Sequence, residues 1–247
     1  MSHILIMIPT YNERDNVPSL IDRLLAIKQL DADILFIDDN SPDGTGNVLD
    51  HYARTYPRIT VLHRPYKAGI GTAHQYGIQW AYDHKYTHLV TMDGDFTHPP
   101  EDIVKLLTYS GDYDIIMGGR YSANKDSLEG WAQWRKFLSH LGHQFTTTLL
   151  NLNYDATTGF RVYRIDVIPE TTFRLVKSKS YSFFIESLCI LHENKFTMCD
   201  VPVIFPPRSL GTSKLKFKDM VNWLFIVLKL GIEIRIHSKR LYDKQLL

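Results

Sequence analysis

The chain has 247 residues and a near-balanced charge, 28 Lys and Arg against 27 Asp and Glu for a formal net charge of +1, with 44% hydrophobic residues. That length suits one large α/β domain, or one domain with an appendage, whose core requires neither disulfides nor a structural metal. The balanced charge lends no support to a nucleic-acid partner, and Cys189 and Cys199, which lack CxxC spacing, are expected to be reduced thiols of a cytosolic protein.

The N-terminal MSHILIMIPTYNE runs straight into an apolar strand, without the basic region, longer apolar region and small-residue cleavage site of a signal peptide. From there the first half alternates two patterns. Ile-, Val- and Leu-rich runs at 3–8, 33–38, 59–62, 88–92 and 114–118 lack strict alternation, as strands covered on both faces do. Between them, 17–29, 45–55, 71–84 and 100–109 carry helical periodicity. The last opens on Pro99-Pro100 followed by Glu101 and Asp102, acids favoured at a helix N-terminus. Such alternation predicts βαβ units and a mostly parallel, doubly wound sheet.

The second half is less regular. Residues 125–152 read as an amphipathic helix with Trp131, Trp134, Phe137, Leu138 and Leu141 near one side. From Thr212 onward eight basic residues stand against three acidic ones, a local +5 that the overall charge conceals. No run approaches the ~18–20 apolar residues of a membrane span; MVNWLFIVL at 220–228 is ended by Lys229. The chain is therefore expected to be cytoplasmic, at most lying on a membrane.

In an open α/β sheet, ligands bind beyond the carboxyl ends of the strands. Strand one is followed by PTYNE (9–13), strand two by DDNSPDGTG (38–46), strand four by DGD (93–95) and strand five by GGRY (118–121). Three of these exits are acidic. Neighbouring carboxylates repel and raise each other's pKa, so core stability does not explain them, whereas a divalent cation or a hydroxyl-rich ligand does. Alternate residues of an extended chain point the same way, so Asp93 and Asp95 can converge on one Mg2+ or Mn2+, with Gly94 leaving the backbone approachable. SPDGTG lacks the Lys of a P-loop and the spacing of GxGxxG, and turn chemistry with a helix cap explains it equally well. Asp38-Asp39 at the strand tip can accept hydrogen bonds from a base or ribose. His98 is a metal ligand or a structural turn residue. Arg120, Arg135, Arg208 and Lys214 form the basic side, suited to phosphate.

The blocks IPTYNERDN, DDNSPDGT, KAGIGTAH, MDGDFTHPP, GGRY, WRKFLSH, TTGFRVY, FFIE and FPPRSLGTSKL, in this order over about residues 4–215, resemble the inverting family 2 glycosyltransferases with a GT-A fold, and among them the dolichol-phosphate mannose synthase branch. The resemblance implies a Rossmann-like α/β catalytic domain over 1–215 and an amphipathic, membrane-surface helical segment over 216–247. It implies transfer of mannose from GDP-mannose to dolichyl or another polyprenyl phosphate with Mg2+ or Mn2+. Pro9, Tyr11, Glu13, Ile37 and Asp39 would hold the nucleoside. Asp93, Gly94 and Asp95 would meet the sugar-diphosphate and the metal. Arg120, Arg208 and Lys214 would contact phosphates, with Asp95, Arg120 and Arg208 as the catalytic group. Arg135 and Ser139 would meet the lipid phosphate, and Glu186 would help shape the sugar site. The expected setting is the cytosolic face of a membrane, the endoplasmic reticulum in a eukaryote, with or without small membrane-embedded partner subunits. Two positions depart from the family pattern: its usual DAD is DGD here, and Thr97 stands where a metal-binding Gln is frequent. A UDP-sugar donor, or a non-catalytic nucleotide-binding module, are the rival readings. A Rossmann oxidoreductase is disfavoured, because no GxGxxG follows strand one.

Overall fold

The computed structural model describes residues 3–120, 133–205 and 217–246, and for helical residues 133–139 and 217–221 the backbone only. The alternation read from the first half is realised as β1 (Ile4–Thr10), α1 (Val17–Ala26), β2 (Ala32–Asp38), α2 (Thr45–Thr55), β3 (Ile59–His63), α3 (Ile70–Asp83), β4 (His88–Thr91), α4 (Asp102–Leu107) and β5 (Ile115–Gly119). Then follow α5 (Gln133–Leu150), β6 (Arg161–Arg164), α6 (Glu170–Arg174), α7 (Ser182–Glu193), β7 (Met198–Pro202), α8 (Phe217–Arg235) and a 3-10 turn at Lys239–Leu241.

The seven strands form one sheet in the order β3-β2-β1-β4-β6-β5-β7. All pairings are parallel except those of β6, which runs antiparallel to both β4 and β5. β6 and β7 were not evident as sequence patterns. β6 is four residues long, Arg-Val-Tyr-Arg, and its charged ends conceal a strand whose first arginine is wholly buried.

Each central strand is covered on both faces because alternate side chains feed two cores. Leu5, Met7, Leu35, Ile37 and Leu89 pack with α3, α7 and α8 residues such as Ala73, Ile78, Leu188, Val227 and Leu230. Ile4, Ile6, Ile8, Ile34, Phe36 and Val90 pack with Leu20, Ile21 and Leu24 of α1, Leu49 of α2 and Leu106 of α4. Each such side chain removed from water contributes about 1.5–3 kcal/mol, and this two-sided burial selects continuous apolar runs over alternation. The C-terminal segment joins the first of these cores. Beyond α8, Tyr242 donates to Glu193 at 2.8 Å, and Thr171 and Thr172 donate to Asp243 at 2.5 and 2.8 Å.

The chain builds outward from β1 to β2 and β3, then returns to β4 on the other flank of β1. β1 pairs with β4 only as far as Met7 and Thr91, but with β2 as far as Thr10 and Asp38. β1 and β4 therefore part at their carboxyl ends, and the crevice at this reversal of strand order is where ligands enter such sheets.

Candidate active site

The residues after β1 and β2 form one wall of the crevice. The Glu13 carbonyl accepts the amides of Asn16 and Val17 at 3.0 Å each, which starts α1. Its buried carboxylate accepts the Asn16 side-chain amide at 2.6 Å, and its own amide donates to Thr45 Oγ1 at 3.0 Å. The Lys67 ammonium lies 3.7 Å from the centre of the Tyr11 ring, a cation–π contact. Asp38 accepts the hydroxyl and amide of Ser41 at 2.5 and 3.1 Å. Asp43 accepts the amides of Arg14 and Thr45; burial opposes ionisation there, but these bonds and the Thr45 hydroxyl prevail and hold its pKa below the usual value. SPDGT is thus a turn and helix start, with Gly44 in the left-handed region at φ 91°. Ile37 is fully buried, and its side chain belongs to the core rather than to the crevice.

Asp39, 6% exposed, is held by Arg64, whose Nε donates at 2.5 Å and whose Nη2 reaches the same oxygen. Arg64 is itself fixed by Thr72 Oγ1 at 2.7 Å. Burial pushes the Asp39 carboxyl above its ordinary value, against the pull of Arg64 and Lys67. Arg64 was not singled out in the sequence, and its 25-residue separation from Asp39 leaves no local signal.

The floor of the crevice is the stretch after β4. The Asp93 amide donates to His98 Nδ1 at 2.8 Å, which assigns the ring proton to Nε2, and Nε2 lies 3.9 Å from Asp93 Oδ2. His98 is buried, stacked on Phe160 with centroids 5.1 Å apart, and burial lowers its pKa despite Asp93 and Asp95. Its bond to the Asp93 amide holds the turn, the structural role of the two readings open in the sequence. Asp95, 6% exposed, accepts both the amide and the hydroxyl of Thr97 on Oδ1, at 3.2 and 2.6 Å. Thr97 therefore acts on the carboxylate that it follows. A Cβ added at Gly94 would meet Ile8, Thr10 and Glu13 at 3.6–3.8 Å, ordinary contact distances. Alanine fits there, so glycine is not required for space.

Two hard carboxylates, the second of them oriented by Thr97, match a cation that takes its remaining oxygens from phosphate and water. Among the described residues no group of three or more His, Cys, Asp or Glu could hold a metal without such a ligand.

Beyond β4 the crevice edge turns to arginine. Arg120, just past β5, donates from Nε and Nη2 to the two oxygens of Asp155 at 2.7 and 2.8 Å, from its backbone amide to Asp155 at 3.1 Å, and from Nη2 to Thr157 Oγ1. Asp155 is 1% exposed; burial works against its ionisation, yet Arg120 prevails and holds it at about 2. The Asp155 amide donates to Asp200 of β7 at 2.8 Å. Burial and the nearby Asp155 push Asp200 up to about 7. Arg161 lies beneath with no exposed surface, and its five N–H groups go to the carbonyls of Ala156, Thr158 and Phe184, the Tyr163 hydroxyl and the Ser187 hydroxyl, at 2.9–3.2 Å. Asp155, Arg161 and Asp200 had no role in the sequence reading, although Arg161 lies within the TTGFRVY block. Thr91 Oγ1 donates to the Gly159 carbonyl at 2.7 Å, and a Cβ at Gly159 would stand 3.6 Å from Asp93 Oδ1. Floor and arginine edge meet there.

Of the other expected residues, Arg208 and Lys214 lie outside the described residues, as do the side chains of Arg135 and Ser139, whose backbone belongs to α5. Glu186, 3% exposed on α7, accepts the amides of Lys177 and Ser178 at 3.1 and 2.7 Å and pairs with Arg240 at 2.7 Å. It pins the 177–180 loop, whose backbone packs on Gly69 and Gly71 at the start of α3. Its carboxylate thus serves that loop, which approaches the Arg64–Asp39 pair through Gly69 and Thr72.

The sequence matches the profile described as "Glycosyl transferase family 2" over residues 5–172. It is 36% identical over 240 residues to the polyprenol monophosphomannose synthase of Mycolicibacterium smegmatis, covering 96% of this chain and 89% of that protein. It is 35% identical over 214 residues to the undecaprenyl-phosphate mannosyltransferase of Micrococcus luteus, covering 86% and 87%. Among solved structures, the glucosyl-3-phosphoglycerate synthase of Mycobacterium tuberculosis in complex with Mn2+, uridine diphosphate and phosphoglyceric acid matches with a TM-score of 0.68 at 13% identity, over 93% of this chain and 78% of that one. The same protein in complex with Mg2+ and uridine diphosphate matches with a TM-score of 0.65 at 15% identity, over 93% and 79%. These two likenesses establish the GT-A type of fold.

Proposed function

This chain belongs to glycosyl transferase family 2, and from that premise we propose that it transfers mannose from GDP-mannose to a polyprenyl (dolichyl-type) phosphate, with inversion at the anomeric carbon. The observation that carries this reading is its 36% identity, over nearly the whole of both chains, to a protein named polyprenol monophosphomannose synthase.

The nucleoside lies along β1 and β2, against Pro9, Tyr11, Glu13 and Asp39, and the diphosphate lies over Asp93, Gly94 and Asp95. Asp93 and Asp95 would hold Mg2+ or Mn2+; bound there, the ion supplies positive charge to the departing diphosphate. A phosphate oxygen of the acceptor forms the new bond to the anomeric carbon as the bond to GDP breaks, and the electron pair of that bond leaves on GDP. The attacking group is already an anion, so no strong general base is needed. The work of the chain is alignment and charge: Arg120, with Arg208, Lys214, Arg135 and Ser139, brings the acceptor phosphate close to a second anion. The buried acids of the crevice and its arginine edge suit that division.

The lipid end of the acceptor calls for a membrane surface. Among the described residues no helix is long and apolar enough to cross one. α8 presents Leu224, Phe225, Leu228 and Ile232 as exposed side chains, followed by Ile236, with Lys229, Arg235 and Lys239 exposed among them. An apolar stripe flanked by bases suits docking at an anionic leaflet.

The test is a donor panel: radiolabelled GDP-mannose or UDP-glucose with a polyprenyl phosphate, with and without Mg2+ or Mn2+. Metal-dependent transfer of mannose into the organic phase is expected. Transfer from UDP-glucose alone, or from neither donor, would overturn the proposal. Flotation of the lone chain with anionic liposomes, lost in Phe225→Glu/Ile232→Glu, separates direct docking from recruitment by a membrane-embedded partner.

A further inference from the structure

We propose that Asp155 is the positioning residue of the acceptor site: it fixes the guanidinium of Arg120 in the one orientation that presents it to the acceptor phosphate. The inference rests on the reading of Arg120 given above and adds a residue that lies outside the sequence blocks.

The first observation is the completeness of the grip. Both oxygens of Asp155 are used on Arg120, one by Nε and one by Nη2, and the Arg120 amide adds a third bond. A guanidinium held at two of its nitrogens cannot turn about its own axis, so the carboxylate sets its orientation. Stability alone is a poor reason for such a pair, since buried ion pairs often contribute less than apolar side chains of the same size.

The second observation is that the Asp155 loop is suspended from both sides. Asp200 of β7 accepts the Asp155 amide, and the wholly buried Arg161 takes the carbonyls of Ala156 and Thr158 and anchors them to Phe184 of α7. Arg161 forms no ion pair among the described residues; all its donors meet neutral acceptors, and three of those are backbone carbonyls. A second arginine thus serves to hold the loop that holds the first.

The third observation is where this assembly stands. Along the sheet edge, the nucleoside wall at β2 and β1 comes first, then the carboxylates after β4, then β6 and β5 with Arg120. Arg120 is therefore on the side away from the base, where the acceptor must approach. Gly159, in the same loop, lies beside Asp93: a Cβ added there would stand 3.6 Å from Asp93 Oδ1. The loop fixes the distance between the donor carboxylates and the Arg120 fork, the spacing on which an in-line displacement depends.

The test compares wild type, Asp155→Asn, Arg120→Ala, the double variant and the milder Thr157→Val. Thr157→Val removes a neutral acceptor from Arg120 and a hydroxyl donor from Asp155 but keeps the carboxylate, so it serves if Asp155→Asn folds poorly. Two calorimetric titrations accompany the transfer assay, farnesyl phosphate for the acceptor side and GDP with Mg2+ for the donor side. Asp155→Asn is expected to weaken farnesyl phosphate at least about tenfold and to slow transfer by about a hundredfold, with GDP affinity within about twofold of wild type. Thr157→Val is expected to do the same by a few-fold. In the Arg120→Ala background Asp155→Asn should add less than about twofold, because both act through one group. Equal loss of GDP and farnesyl phosphate binding, additive effects, or wild-type behaviour of both variants would overturn the proposal, as would a wild-type protein that does not bind farnesyl phosphate. A wild type that binds farnesyl phosphate in the Asp155-dependent way but does not use GDP-mannose would sink the proposed donor and leave Asp155 in place.

Discussion

Along the β1–β2–β4 side of the crevice four aspartates each have a near neighbour in the chain as partner, although Asp39 takes Arg64 and Glu13 takes Thr45 from farther away. Asp38 is bound by Ser41, Asp43 by Thr45, Asp93 by His98 and Asp95 by Thr97, over separations of two to five residues. Along the β5–β6–β7 side the partners come from afar. Arg120 reaches Asp155 across 35 residues, Asp155 reaches Asp200 across 45, and Arg161 reaches Phe184 across 23. The first side is a set of turns that display carboxylates. The second is a buried network in which the arginine edge and the architecture are the same object. Antiparallel β6 makes this possible, because it delivers the start of a strand, with Arg161 on it, to the edge where the other strands end.

The sharpest way to break the comparison is Arg161→Met. Five acceptors lose their donors at once, and a loss of about 3–5 kcal/mol is expected, with a fall in Tm on the order of 10 °C. Thermal denaturation checks this; a Tm within about 2 °C of wild type would show the network to be dispensable. Asp95→Asn should do the opposite on the other side. Asn preserves an acceptor for Thr97, so Tm should hold within about 2 °C while transfer falls by about two to three orders of magnitude.

Between the two sides in size are the pH effects, which belong to the buried interior. His74 is 1% exposed, both its ring nitrogens lack a partner among the described residues, and burial followed by Arg161 holds it at about 3. The unfolded chain takes up this proton near pH 6.5 and the folded one only near 3, so stability is lost as pH falls through that window. His74→Leu should remove this part of the acid destabilisation, up to about 3 kcal/mol between pH 6.5 and 4, in urea melts at several pH values. Asp200 runs the other way. With its folded value raised to about 7, the folded state keeps a proton that the unfolded chain releases near pH 4, so its contribution to stability declines as pH rises from 4 to 7. Asp200→Asn should gain stability over wild type across that interval, by at least about 1 kcal/mol. The smallest effect is expected at Gly94→Ala, which the site admits at ordinary contact distances: activity within about twofold and a gain of ~0.4–1 kcal/mol.

The same division of near and far partners explains how much was legible in advance. The first five strands and four helices, the acidic exits and the cap-and-turn character of SPDGT all follow from short windows, because two-sided burial and turn chemistry act within a few residues. Thr97 departs from the family pattern at the proposed metal site, and its hydroxyl and amide on Asp95 are again a two-residue relation. Arg64, Asp155, Arg161 and Asp200 were not identified, and Ile37, whose residue type matched the family pattern, has its side chain in the core. A buried arginine that meets only carbonyls and hydroxyls has no spacing by which to be recognised, since its partners are set by which strands become neighbours.

What the sequence determined by itself was the family-type alternation of strand and helix and the list of acids at the strand exits. Hydrophobic period and local backbone preference are properties of the chain before it folds. Only the tertiary structure decided that β6 inserts between β4 and β5, that Asp39 is neutralised by Arg64, and that Arg120 is locked by a carboxylate 35 residues away. Buried charge must find its partner wherever the fold brings one within reach.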